Sequence, residues 1–299
     1  MTGGYKLSYF LQQIINGLSI GSVYALMAVG YSLVYSIMNF SNFAHGGVIM
    51  IGAYIGYFCL TMLKVPFFIA FIISALGAGL LAVSMERIVY RPLRKRNAPF
   101  LYFIISAMGA SIFLENIVIA SPIGPTFRTY PPIFSTTPIM LGSVALGRID
   151  LLMFIISAIS LAALMYIIEK TKIGLSIRAT SYSIKGSTLM GVNVDQVIFI
   201  IFIMGGILAG IAGMLFGMKY TVYPQIGNIT TKSFIAAVFG GLGSLPGAVF
   251  GSILLGIIET MTSGYLSSQY RDLIAFALLI FVLVVKPTGL MGKSTEDKA

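Results

Sequence analysis

The chain is short of charge. Only 9% of its 299 residues are Asp, Glu, Lys or Arg, where a soluble domain carries about 25%. That scarcity argues against a water-soluble globule. It holds one cysteine, Cys59, so no intrachain disulfide can form. One histidine, His45, beside one cysteine makes no metal-ligand set, and no metal site is expected. No Gly-Lys-Ser/Thr phosphate loop is present, which removes ATP binding by that route. There is no HExxH, no Ser/His pair and no paired-Asp constellation, so intramembrane hydrolysis has no candidate machinery and no catalytic residue is assigned. No cofactor is expected. The first apolar segment lacks a basic leader and a small-x-small cleavage pattern, so it reads as retained.

What is present is hydrocarbon. Hydrophobic residues make up 58% of the chain. Apolar segments run over Leu7–Val34, Val48–Leu63, Phe67–Met85, Phe100–Ala120, Leu151–Ile168, Val197–Met218, Phe234–Ile258 and Leu273–Val285. Several are too long for barrel strands. The expected fold is all-α: a polytopic membrane protein of about eight transmembrane or half-spanning helices, forming one domain over residues 1–299. The net charge of +10 lies between apolar runs, where the positive-inside rule puts it. It is no nucleic-acid footprint.

Lys and Arg also set the sides. Arg87, Arg91, Arg94, Lys95 and Arg96 mark one cytoplasmic segment, with Glu86 read as part of its solvated rim. Lys170, Lys172, Arg178 and Lys185 mark a second, spanning 170–195. Residues 121–150, rich in Pro and Thr, fit the outside, as does Lys219–Lys232. Counting crossings from there to a cytoplasmic tail leaves one hydrophobic region too many. Gly240, Gly241, Gly243, Ser244, Pro246 and Gly247 interrupt one of them. A re-entrant half-helix, a glycine turn at membrane depth and a helix returning to the same side resolve the parity. Irregular backbone there must be buried in protein or line a watery cavity, which puts a pathway near Gly240–Gly247. The stretch from Asn39 through Asn42, His45, Gly46 and Gly47 reads as a second broken segment. If it is re-entrant, the N-terminus is cytoplasmic; if two full spans flank it, the N-terminus is outside.

His45 has three readings: proton relay, pore lining, or a neutral structural group tying a broken backbone together. With no second histidine and no nearby acid, the structural reading leads. Glu115 and Glu259 lie deeper than other acids and are candidate pathway groups, the alternative being a packed carboxyl. Gly206/Gly210 and Gly213/Gly217 have GxxxG spacing, which suits close helix packing in lipid. The polar segment from Lys170 to Val197 reads as a basic juxtamembrane loop, or as a surface helix that docks a soluble partner. As a helix it would carry Ile177, Ile184, Thr188 and Leu189 on one face beside Arg178 and Lys185.

These residues resemble the membrane permease subunits of Liv-type branched-chain amino acid ABC transporters. The likeness rests on "NGLSIGSVYALMAVGYSLVY", "NFAHG" and "GGLGSLPGAVFGS", and on the loop pattern of Gly174, Arg178–Ala179 and Gly191–Asn193. The resemblance implies a multi-pass importer subunit in a bacterial inner membrane. It implies a second permease subunit (a homologous chain or a second copy), two ATPase subunits and a periplasmic substrate-binding protein. The loop would be the coupling helix seated on an ATPase. Leu175 stands where the family usually has Arg, Tyr182–Ser183 where it has a more polar pair, and Glu115 where Gln is common. Urea, short amides or another small polar metabolite form the alternative substrate class. A stand-alone secondary transporter or channel is the alternative mechanism.

Overall fold

The computed structural model describes residues 2–134, 137–142 and 144–292. Ser135, Thr136 and Ser143 of the external segment, Met1 and the tail from Lys293 lie outside these residues.

No proline or charge pair interrupts the first apolar run, and it forms one helix, α1 (Thr2–Met38, 37 residues). At ~1.5 Å per residue it is ~55 Å long, well beyond the ~30 Å hydrocarbon core. It is almost wholly buried within the protein and serves as the central post. The chain reverses at Asn39, whose φ of 53° is left-handed, a conformation a short polar side chain tolerates. Helix α2 (His45–Thr61) then runs back along the post. Pro66 and Pro99 stand just before α3 (Phe67–Met85) and α5 (Phe100–Ala120), a position where the missing N–H and fixed φ cost nothing. Between them, α3 passes through a π-helical turn (Glu86–Tyr90) into the short α4 (Arg91–Lys95). A two-stranded antiparallel hairpin, β1 (Ile139–Leu141) and β2 (Val144–Leu146), precedes α6 (Arg148–Lys170). Then come α7 (Lys172–Tyr182), α8 (Ile184–Leu189) and α9 (Val194–Lys219). A 3₁₀ turn (Pro224–Ile229) leads into α10 (Thr230–Gly240), α11 (Leu245–Tyr265) and α12 (Tyr270–Val285).

Glycines decide which helices meet. In lipid the helices gain little from apolar burial, so close backbone approach matters more. Gly17 and Gly21 of α1 lie directly on Ile253, Gly256 and Ile257 of α11, leaving no room for a Cβ. Along α9, Gly206 and Gly210 face Ala75, Ala78 and Gly79 of α3, while Gly210 and Gly213 face Gly52 and Ile49 of α2. The Ser74 hydroxyl donates to the Gly52 carbonyl at 2.7 Å and to the Gly210 carbonyl at 3.3 Å, pinning this three-helix seam. Cys59 is buried and unpaired in the same apolar body.

The bundle has two ends. One is basic, with Arg91, Arg94, α7 and α8. The other carries the hairpin. Helix α1 starts at the hairpin end: Gln12 accepts from the Ala145 N–H at 2.9 Å and donates to its carbonyl at 2.8 Å, acting as a short third strand. It finishes at the basic end, where Ser181 of α7 donates to the Ser36 carbonyl at 2.7 Å. The N-terminus is therefore on the hairpin side, opposite α7 and α8. The Asn39–Gly47 break is a reversal from α1 into α2, which at 17 residues is shorter than the six helices among the described residues that are long enough to span.

A second correction concerns the glycine turn. The half-helix before it is short, as expected, at 11 residues. The helix after it has 21 residues, ~31 Å, which is enough to cross the core. The turn of residues 241–244 thus lies at one end of a full span. It touches the last turn of α1 at Tyr35 and Ser36 and the tail at Met291 and Gly292, all at the basic end. The broken element enters from the hairpin end, where Val222 bridges Arg128.

Candidate translocation and coupling site

Around Asn42–Gly47 the packing is solid. Tyr90 is fully buried and donates its hydroxyl to Asn42 Oδ1 at 2.7 Å. His45 opens α2, 3% exposed, with its ring against Gly30 of α1 and a backbone hydrogen bond at Met27. Its Nε2 has no hydrogen-bond partner among the described residues. Gly46 abuts the Gly227 carbonyl and Thr230, and Gly47 abuts Leu114. The void beside His45, lined also by Asn42, Val48 and Phe202, measures about 10 Å³. That is about the space of one water. Contacts at these residues join α1, α2 and the 3₁₀ turn.

Glu259 is 1% exposed and sits six residues before the hairpin end of α11. It accepts from Tyr24 of α1 at 3.0 Å and pairs with Lys232 of α10 at 3.0 Å. Lys232 also reaches Asp272 of α12 at 2.9 Å. One buried carboxylate therefore ties four helices. Beside it, Asp150 pairs with Lys219 and accepts from Ser19 at 2.8 Å. Glu115 is different: it is half-buried on α5, a peripheral helix whose outward residues Ile112, Phe113 and Ile117 are exposed. The structure does not bring Glu115 and Glu259 into one channel.

At the basic end the segment expected to couple to a partner is two helices. Expectation put Ile177, Ile184, Thr188 and Leu189 on one continuous face. Ser183 instead ends α7 and caps α8 by accepting from the Gly186 N–H at 3.1 Å. Ile177 is buried against the bundle, while Ile184 and Leu189 point outward. Thr171 caps α7 by accepting from the Gly174 N–H at 3.1 Å. Gly174 lies against the Ile167 and Ile168 carbonyls, too close for any side chain. The Arg178 guanidinium donates to the Ile168 carbonyl, closing the C-terminus of α6 with positive charge. Ala179 and Lys185 are exposed. Gly191 takes a φ of 81°, and Asn193 caps α9 by accepting from the Gln196 N–H at 3.1 Å. Leu175, Tyr182, Leu189 and Met190, from 60% to 88% exposed, form an apolar patch outside the bundle.

Glu86, expected at a solvated rim, is 3% exposed. Arg94 pairs with it at 3.1 Å and with Asp195 at 2.7 Å, and Arg91 meets Asp195 at 2.9 Å. These arginines are bound in place by Asp195 in the first turn of α9 and Glu86 just after α3.

The gap between α1, α7 and the glycine turn is the one that sequence reasoning missed as a unit. It is a cavity of about 360 Å³. Asn39, Arg178, Gly243 and Ser244 line it together with Ser36, Ser181 and Leu242. Residues singled out for two separate reasons, a broken helix and a coupling loop, converge on one space. Gly240 and Gly247 make that possible: each lies on the other's carbonyl, so α10 and α11 meet without side chains between them. Gly241 (φ 114°) and Gly243 (φ 81°) then turn the chain through conformations that favour glycine.

Comparison with known proteins bears on the whole chain. The model of the family "branched-chain amino acid transport system / permease component" matches residues 13–283. The high-affinity branched-chain amino acid transport system permease protein BraD of Pseudomonas aeruginosa is 38% identical, over 98% of this chain and 99% of that protein. LivH of Escherichia coli K12, described in the same words, is 38% identical over 97% of this chain and 98% of its own. The autoinducer 2 import system permease protein LsrC of Yersinia pestis is 30% identical over only 50% of this chain.

Proposed function

The chain belongs to the branched-chain amino acid transport permease family, and from that premise we propose that it is one membrane-spanning subunit of an ATP-driven importer of branched-chain amino acids. The near full-length likeness to BraD and LivH carries this reading. It holds no nucleotide motif of its own, so ATP is hydrolysed on partner subunits. A second permease subunit completes the path, and an external binding protein delivers the amino acid at the hairpin end. The membrane is the bacterial inner membrane.

The geometry supports a mechanical role for α7 and α8. An ATPase seats on their exposed apolar patch. Arg178 and Gly174 hold α7 to α6, and Ser181 holds it to α1. A push on α7 therefore reaches the post helix directly. Packed interfaces switch between discrete arrangements rather than bending smoothly, so this push exchanges an outward-open for an inward-open form. Glu259 is paired with Lys232, so this buried acid is engaged in a structural ion pair rather than standing free for an ion-coupled cycle.

The test is reconstitution in vesicles with the ATPases, the second permease and the binding protein. Leucine uptake that requires both ATP and the binding protein is expected. Leucine uptake by the permease alone, driven by a proton or sodium gradient, would overturn the reading. Uptake of urea or a short amide in place of leucine would move the substrate class.

A further inference from the structure

We propose that the cavity at the basic end is a binding site for an aliphatic amino acid on the release side. This rests on the reading above for the substrate, and on the cavity itself for the site. Its volume, about 360 Å³, falls at the small end of the range of about 300–1,000 Å³ that suits single small molecules. Its lining divides by chemistry. Arg178 supplies a guanidinium, of which only Nη1 is engaged, on the Ile168 carbonyl. No Asp or Glu lines the cavity. A carboxylate therefore finds a cation without a competing acid. Ser244 and Leu245, where α11 begins, add the positive end of a 21-residue helix on the same side.

The last turn of α1 and Asn39 also line it. A helix C-terminus and an amide oxygen are acceptors, suited to an ammonium group. Leu33, Leu242, Ile168, Ile177 and Met291 add aliphatic surface, and Tyr35 and Tyr182 add aromatic rings. Carboxylate, ammonium and a branched side chain thus each meet a matching wall. Four elements must be in register to form it: α1, α6 with α7, the glycine turn and the tail. Occupancy by internal amino acid braces α7 against α1 and the turn, and so slows the motion that an ATPase must drive. The site makes the importer sensitive to its own product.

The experiment uses the full chain in detergent, with leucine, leucinamide and 4-methylpentanoate as probes. Calorimetry should show leucine binding, with leucinamide and 4-methylpentanoate each weaker by about tenfold or more, the effect of losing one charge-assisted hydrogen bond. Asn39→Gly keeps the left-handed backbone and removes the amide; Leu242→Trp fills the space. Each should weaken leucine binding by about tenfold or more. Deuterium exchange on the unmodified chain decides the matter if a variant fails to fold: leucine should slow exchange in residues 174–182 and 241–245. Unchanged leucine affinity in both folded variants, or protection confined to the hairpin end, overturns the site. Leucine uptake by the assembled importer without that protection removes the site and leaves the transport function standing. Leucine that neither binds nor is carried removes both.

Discussion

Removing the cation from the buried Glu259–Lys232 pair is the sharpest perturbation of this fold. Glu259 is 1% exposed and Lys232 21%. In Lys232→Met the carboxylate keeps only the Tyr24 hydroxyl, 3.0 Å away. Stripping one partner from a buried pair costs about 3–5 kcal/mol, since the remaining charge is stranded. Lys232 is partly wetted and its charge partly screened, so the lower figure, about 3 kcal/mol, is expected. Glu259→Gln is milder. Its amide oxygen still accepts from Tyr24, and Lys232 keeps Asp272 at 2.9 Å, so the loss is about 1 kcal/mol. The double variant has no stranded charge and should resemble Glu259→Gln, not the sum. Unfolding of all four proteins in one detergent measures this as a double-mutant cycle with coupling of about 3 kcal/mol. Additive losses, or a Lys232→Met no worse than Glu259→Gln, would show that the pair does not hold α1, α10, α11 and α12 together.

Three further outcomes follow from other parts of the structure. Gly109→Ala on α5 meets nothing within 4 Å and should stabilise by about 0.4–1 kcal/mol through the unfolded chain, whereas Gly240→Ala strikes the Gly247 carbonyl and should abolish folded protein on size exclusion; equal behaviour would contradict the α10–α11 seam. In a Cys59→Ser background, an impermeant thiol reagent added outside should label cysteines placed at Ser8 and at 123–134 and spare those at 172–190; Ser8 spared together with 172–190 would restore a re-entrant first segment. Arg178→Glu replaces the cap on the Ile168 carbonyl with a like charge and should lower ATP-driven uptake by the assembled importer several-fold, while Lys185→Glu, on the exposed face of α8, leaves the α6–α7 joint intact; full uptake by Arg178→Glu would remove α7 from the coupling path.

Local signals in the sequence were dependable. Proline fixed the starts of α3 and α5, and the glycine spacings of α9 marked a seam that does pack without side chains. The short helix before Gly241 was also legible, because glycine and proline punctuate a chain wherever they fall. Depth was not legible. A glycine turn reads alike whether it sits halfway through a bilayer or at its edge, and only α11 continuing to Tyr265 places it at the edge. Glu259 was marked as a deep acid, but its partner Lys232 on α10 was not legible. Glu86 misled in the same way, since its partner Arg94 is recognisable only after the π turn has set their spacing. The hairpin owes its register to Gln12, more than 130 residues away, a contact no window of sequence contains. The cavity at the basic end drew on both marked regions, but nothing in either segment announces that they share a wall.

The pairing of α1 with α11 sets a timetable for biosynthesis. The post helix is the first to leave the ribosome, yet Gly17 and Gly21 rest on residues 253–257, and Gln13 receives its bond from Thr260. For most of translation the central helix stands in lipid with its groove uncovered. Its late partner cannot be replaced by a neighbour, because only Gly256 brings a backbone near enough to fill that groove. Assembly therefore closes from the C-terminal side, and a chain cut short before Leu245 leaves a correctly inserted but unlocked bundle, open to quality control.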